Sequence, residues 1–249
     1  MKTIIRTKNI YKSFITEKGQ QVDALNNINL SVNEHEFICL LGPSGSGKST
    51  LLRLLSGLEK PTKGEILVMD RRISSPILDA GMVFQEYSLM PWLNIIDNVS
   101  FGLKLKKMTK SERYKNANNI LNRFGLSEFK QSFPYELSGG MQQRAAIARS
   151  IANSPKILYM DEPFGALDAY TRYKMQEELV EFWLEEKRTV IFVTHSVEEA
   201  VLLGTRVIVM SPRPGEIIED FKIDLRYPRN RRDEGFGGYF DKLMNSMKS

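Results

Sequence analysis

The sequence predicts an α/β fold built on a mainly parallel sheet, and three observations carry that expectation. Continuous apolar runs at Phe37–Leu41, Lys156–Met160, Thr189–Val193 and Arg206–Met210 are too short for helices and are separated by longer stretches. That is the pattern of buried parallel strands covered on both faces. The first run passes through Gly42-Pro43-Ser44-Gly45-Ser46-Gly47-Lys48-Ser49-Thr50 into Leu51-Leu52-Arg53-Leu54-Leu55, a strand, a glycine-rich turn and a helix. From Glu86 to about Pro155 the character turns helical, as a segment inserted into the sheet domain.

Composition sets the bounds. The chain has 249 residues, 42% apolar and 26% charged, as expected of a globular protein with a substantial core. Its net charge of +5 is spread along the chain except for one run near the C-terminus, so nucleic acid is not indicated as a partner. The single cysteine, Cys39, lies inside an apolar strand, where it is expected to act as a small buried hydrophobe. Met1–Arg6 lacks the apolar core of a signal peptide, and no run approaches the ~18–20 apolar residues of a membrane span. Any membrane role is therefore expected to come through a partner.

Taken in order, residues 1–35 alternate apolar and polar positions and predict two or three antiparallel strands joined at Glu17–Gln21, an N-terminal β-subdomain. Pro61–Glu65 is a turn before the strand Ile66–Met69, and Asp70–Arg72 a polar turn. Gly81–Phe84 is a strand ending at Gln85. In the helical segment, Thr109 and Glu112 form a capping-box pattern, and Tyr114, Ala117, Leu121 and Phe124 recur at helical spacing until Gly125. A second helix begins at Gly139-Gly140 and runs to about Asn153, and a third spans Tyr170–Glu186. The expected organisation is one domain: 1–85 and 156–230 as a nucleotide-binding core, 86–155 as a helical subdomain and 231–249 as a C-terminal tail.

The stretch Gly42–Thr50 has the G-x-x-x-x-G-K-S spacing of a phosphate-binding loop. Its glycines let backbone N–H groups face oxyanions, the following helix adds positive potential, Lys48 reaches terminal phosphates and the Ser49 hydroxyl suits Mg²⁺. Downstream, Ile157–Met160 ends in Asp161-Glu162 at the carboxyl end of a strand, where open α/β sheets bind ligands. Asp161 is placed to hold Mg²⁺, and Glu162 to face an attacking water.

With Leu137-Ser138-Gly139-Gly140-Met141-Gln142-Gln143, Gln85, Gly165-Ala166-Leu167-Asp168 and His195 in this order, the chain resembles the ATPase subunit of an ABC transporter along nearly its whole length. The resemblance implies a phosphate-loop NTPase fold and the cofactors ATP and Mg²⁺. It also implies a head-to-tail dimer in which Ser138, Gly139 and Gly140 of one copy face the γ-phosphate held by Gly42–Thr50 of the other. Gln85 then contacts Mg²⁺ and the water, His195 hydrogen-bonds the γ-phosphate, Asp168 links the two sites, and Phe14, or the nearby Tyr11, stacks on adenine. A soluble ABC-type ATPase of ribosomes or DNA is the alternative; such proteins usually carry two fused nucleotide units or a long coiled-coil insertion, and neither is found in this sequence.

The segment Glu86–Val99 carries Tyr87, Leu89, Met90, Trp92, Leu93, Ile95 and Ile96 beside Gln85, and is expected to expose an apolar groove for a permease helix. Its wording, with Ser211-Pro212-Arg213-Pro214-Gly215-Glu216, resembles the subgroup importing nitrate, taurine and other sulfonates, or thiamine precursors. That implies integral-membrane permease subunits, an extracytoplasmic solute-binding protein and a peripheral position on the cytoplasmic face of the membrane. The basic run Arg226–Arg232 is expected as a solvated surface strand, and Phe236, Tyr239, Phe240, Leu243 and Met247 as a short docked helix despite Gly237-Gly238.

Overall fold

The computed structural model describes residues 2–248. In chain order the elements are strands β1 (Thr3–Ile15), β2 (Gln21–Ile28), β3 (Ser31–Asn33) and β4 (Phe37–Leu41), helix α1 (Lys48–Leu55), and strands β5 (Lys63–Val68), β6 (Arg71–Arg72) and β7 (Ala80–Val83). Helices α2 (Ile95–Leu105), α3 (Lys110–Arg123) and α4 (Gly139–Ala152) follow, then β8 (Ile157–Asp161), α5 (Ala169–Glu186), β9 (Thr189–Thr194), α6 (Val197–Leu203), β10 (Arg206–Met210), β11 (Ile217–Lys222) and α7 (Phe236–Ser246). These form two compact units, one running up to Ile77 and resuming at Arg188, the other spanning Leu78–Lys187.

In the first unit, β1 is the hub of an antiparallel sheet, pairing with β2, β3 and β5, with β6 on the far edge of β5. The expected polar turn at Asp70–Arg72 is thus partly a strand: Met69 and Asp70 make the turn at positive φ, and Arg71–Arg72 pair back on β5. A second sheet places β4 between β9 and β10, both parallel to it. Every residue of β4 and β9 is buried, which is why their sequences are uninterrupted apolar runs. Strand β11 closes the β10 edge antiparallel; its alternation is too polar to announce a strand.

The basic run Arg226–Arg232 is not a solvated strand. Burial withholds Arg229 from water, and its guanidinium donates to the carbonyls of Val201 and Gly204 (2.6 Å each), Leu225 (3.1 Å) and Ile223 (3.2 Å). It also sits 4.0 Å from the Tyr227 ring centroid, and the Tyr227 hydroxyl donates to Leu203 O at 2.6 Å. Two carbonyls at the end of α6 are thereby satisfied by a cation, the charge that a helix C-terminus favours. The following helix α7 forms as expected, burying Phe236 and Leu243.

The second unit holds the parallel pair β7–β8 and the helices α2, α3 and α4, which pack on one another. Helix α3 starts with the full capping box, Thr109 Oγ1 accepting from the Glu112 amide and Glu112 from the Thr109 amide, and Gly125 follows it at φ +63. In Glu86–Val99 the apolar groups divide. Ile95, Ile96 and Val99 are interior residues of α2, so the exposed groove expected there is reduced to the preceding loop, where Trp92 remains 72% exposed.

Candidate active site

The first unit contributes the phosphate loop. Strand β4 delivers Gly42 beside β10, so close that a Cβ there would stand 2.8 Å from Met210 O. Gly45 (φ +81) and Gly47 (φ +84) take left-handed conformations that suit glycine, and at Gly47 a Cβ would also press on Leu25 Cδ2 (2.6 Å) and Ala24 O (2.9 Å). Lys48 is buried and curls back over the loop, its Nζ donating to Gly42 O at 2.9 Å and Pro43 O at 2.8 Å. Gly47 caps α1 without a side chain, so Ser44, Gly45, Ser46, Ser49 and Thr50 surround amides of an open helix N-terminus.

Parallel pairing of Leu41 with Thr194 brings the start of this loop and the turn bearing His195 to the same carboxyl edge of the sheet. His195 is exposed, and the turn around it is braced: Thr194 Oγ1 donates to Glu199 Oε2 (2.6 Å), accepts from the Ser196 amide (3.0 Å), and Ser196 Oγ accepts from the Glu199 amide (3.3 Å). Sequence reasoning found His195 but not these supports, whose only signal was the Ser196-x-x-Glu199 cap. On β1, Phe14 is 40% exposed with Lys12 Nζ 4.7 Å from its ring centroid. Tyr11 instead lines a cleft of about 570 Å³ with Ser13, Asp23 and Leu25.

The second unit carries the acidic pair and the Ser-Gly-Gly turn. Pairing of Val83 with Met160 puts the Gln85 loop and Asp161 at one carboxyl edge. Asp161 is only 2% exposed at the end of β8, whereas Glu162 turns at φ +44, a conformation a non-glycine residue adopts at a cost. Gln85 is exposed. Ser138 is the N-cap of α4, its Oγ accepting from the Met141 amide at 3.4 Å; a Cβ at Gly139 would stand 2.6 Å from the Tyr87 hydroxyl, so a side chain there would have to turn the tyrosine aside. Asp168 caps α5 by accepting from the Thr171 amide at 3.0 Å, which holds its carboxyl below the usual range.

One residue missed in the sequence organises the loop before α2. Asn98 is fully buried; its Oδ1 accepts from the Met90 amide (2.8 Å) and its Nδ2 donates to the carbonyls of Leu93 (2.9 Å), Met90 (3.1 Å) and Asn94 (3.1 Å). A single Asn inside an amphipathic helix gives no sequence signal for such a role. The predicted residues therefore fall in two sets, Phe14, Gly42–Thr50 and His195 in one unit, and Gln85, Ser138–Gly140, Asp161, Glu162 and Asp168 in the other.

Known proteins show the same arrangement of sequence. The family model described as ABC transporter matches residues 25–165, more than half of the chain. The chain is 47% identical to the nitrate import ATP-binding protein NrtD of Synechocystis sp., over 94% of this chain and 91% of that protein. It is 45% identical to the taurine import ATP-binding protein TauB of Roseobacter denitrificans, over 98% and 94% respectively. Among solved structures it is similar to the dimeric bacterial ABC transporter cassette MJ0796, at TM-score 0.82 and 36% identity, covering 90% of this chain and all of that one. The same cassette in a post-hydrolysis state bound to ADP and Pi matches at TM-score 0.81. A phosphate loop, an acidic pair ending a parallel strand and a serine-capped glycine turn, in a chain with these relatives, identify it as a member of the ABC transporter family: an ATP-binding subunit and an ATPase, similar to nitrate and taurine import ATP-binding proteins.

Proposed function

We propose that this chain powers an importer as a head-to-tail dimer that closes over ATP, draws together the docked helices of two permease subunits, and reopens on hydrolysis. One observation carries the dimer. Helices α1 behind Gly47 and α4 behind Ser138 both offer N-termini with no acidic residue in the first turn, but the sequence has a single phosphate-loop lysine, Lys48. Two copies arranged head to tail give two equal sites, each with Gly42–Thr50 from one chain and Ser138, Gly139 and Gly140 from the other. The dimeric form of the similar cassette MJ0796 supports the same reading.

In this reading Lys48 and the loop amides neutralise the phosphates, and Phe14 stacks on adenine. Glu162 accepts a proton from the attacking water, His195 hydrogen-bonds the γ-phosphate, and Asp168 links the paired sites. Among the described residues no group of three or more His, Cys, Asp or Glu side chains could hold a metal. The oxygen donors of Ser49, Gln85 and the buried Asp161 nonetheless fit Mg²⁺, which takes few protein ligands and completes its shell with phosphate and water. When bound, Mg²⁺ supplies charge neutralisation at the phosphates. In the same reading, residues 1–85 and 156–230 form the nucleotide-binding core, 86–155 the helical subdomain and 231–249 a C-terminal tail.

The importer names of the relatives support a solute of the nitrate, taurine and sulfonate class, and with it an extracytoplasmic binding protein and a peripheral place at the cytoplasmic membrane face. No helix among the described residues is long and apolar enough to cross a membrane. The dimer is tested with Glu162→Gln, expected to lower kcat by at least about 100-fold and to elute as a dimer when Mg²⁺ and ATP are present. Adding Ser138→Arg is expected to return it to a monomer that still binds nucleotide. A dimer that survives Ser138→Arg would refute the trans arrangement.

A further inference from the structure

The turn Met210–Glu216 lies outside every residue assigned above to nucleotide chemistry, yet it touches the phosphate loop. Gly215 is buried, and a Cβ built on it would fall on the carbonyl oxygen of Ser46, with Met210 Cε 3.1 Å away. Its φ is not among the positive ones, so glycine is required here for space and not for conformation. On its other side Gly215 bridges β2: its amide donates to Ala24 O at 2.9 Å, its carbonyl accepts from the Asn26 amide at 3.0 Å, and Leu25 pairs with it. Ala24 and Leu25 are the residues that crowd Gly47, and Met210 O is the atom that crowds Gly42. The loop is therefore held at Gly42, Ser46 and Gly47 by one junction of β2 with this turn.

The turn is itself fixed. Ser211 Oγ accepts from the Glu216 amide at 2.9 Å and donates to the carbonyls of Pro212 and Pro214, and the Ser211 amide donates to Glu216 O at 3.0 Å. Asn26 Nδ2 donates to Glu216 Oε1, tying the turn to β2 a second time.

We infer that Gly215 is a positioning residue for ATP binding: by closing the Met210–Glu216 turn onto Ser46 and β2, it sets the path of the phosphate loop and hence its grip on the phosphates. The inference rests on the nucleotide-binding role of that loop. A side chain at residue 215 must push the Ser46 carbonyl away, because backbone has no rotamer to yield with.

The test uses the purified full chain, with magnesium–ATP and magnesium–tripolyphosphate as calorimetric probes. Gly215→Ala is expected to weaken both probes by about tenfold or more, and to raise KM while leaving kcat at saturating ATP within about twofold. Unchanged affinity in a folded Gly215→Ala protein overturns the inference, and so does a loss confined to ATP, because the effect would then not pass through the phosphate loop. If Gly215→Ala does not fold, the double variant Asn26→Ala, Glu216→Ala loosens the turn from outside and is expected to weaken both probes about threefold; no change in either overturns the inference. Gly237→Ala, where a Cβ meets open space, is the neutral control. Lys48→Ala checks the underlying reading separately, since ATP affinity retained by that variant would remove the phosphate-loop role whatever Gly215→Ala does.

Discussion

Arg229 shows how one side chain can carry a segment. Burial makes its charge expensive, and the charge persists because four backbone carbonyls and the Tyr227 ring surround it. Arg229→Ala leaves the Val201 and Gly204 carbonyls without that donor, and the expected loss is about 2–4 kcal/mol, read as a lower urea midpoint. Nothing local distinguishes Arg229 from its exposed neighbours Arg226, Arg231 and Arg232, so the run reads as solvated until the carbonyls of α6 are in view. Asn98 was hidden for the same reason, since its partners are set by a loop path that no spacing rule encodes. By contrast the places of Gly47 and Lys48 at the turn from β4 into α1, and of Asp161 at the end of β8, were legible, because each follows directly from an apolar run next to it in the sequence.

At the scale of elements, helices were legible where caps and periodicity agreed. The capping box fixed the start of α3, and Gly125 its end. Hydrogen bonds from the Thr109 hydroxyl and amide hold the Glu112 carboxyl below its usual range. A carboxyl so lowered stabilises the fold above its unfolded-chain value and loses that contribution as pH falls through the folded one. The protection factors of the amides in the first turn of α3, with the pH dependence of intrinsic exchange divided out, are therefore expected to fall as pH drops below the ordinary glutamate range, and Glu112→Gln to flatten that dependence. Strand β11 escaped because only one edge pairs and its side chains, Glu219, Asp220 and Lys222 among them, meet solvent. Helix α2 begins inside a run of large apolar residues where the boundary between interior and surface follows a loop, not a period.

For the whole molecule, the expected consequence of the fold is work done on a partner. Trp92, exposed in the loop before α2, and Leu93 beside it are the groups through which a permease helix is expected to be gripped. Trp92→Ala with Leu93→Ala should lower copurification of the permease severalfold while leaving ATP affinity unchanged; undiminished copurification would remove both from the permease contact. The shape of that loop comes from within, from Asn98 and from the amides of Ile95 and Ile96, which donate to the carbonyls of Ser132 and Lys130. Trp92 stands out from that framework, and Leu93 is half-buried against it. If the proposed permease contact holds, Trp92 is a changeable face on a constant mount, so a duplicated copy of this chain can drift toward a different permease without renegotiating its own folding, and designed orthogonal pairs can start at that position.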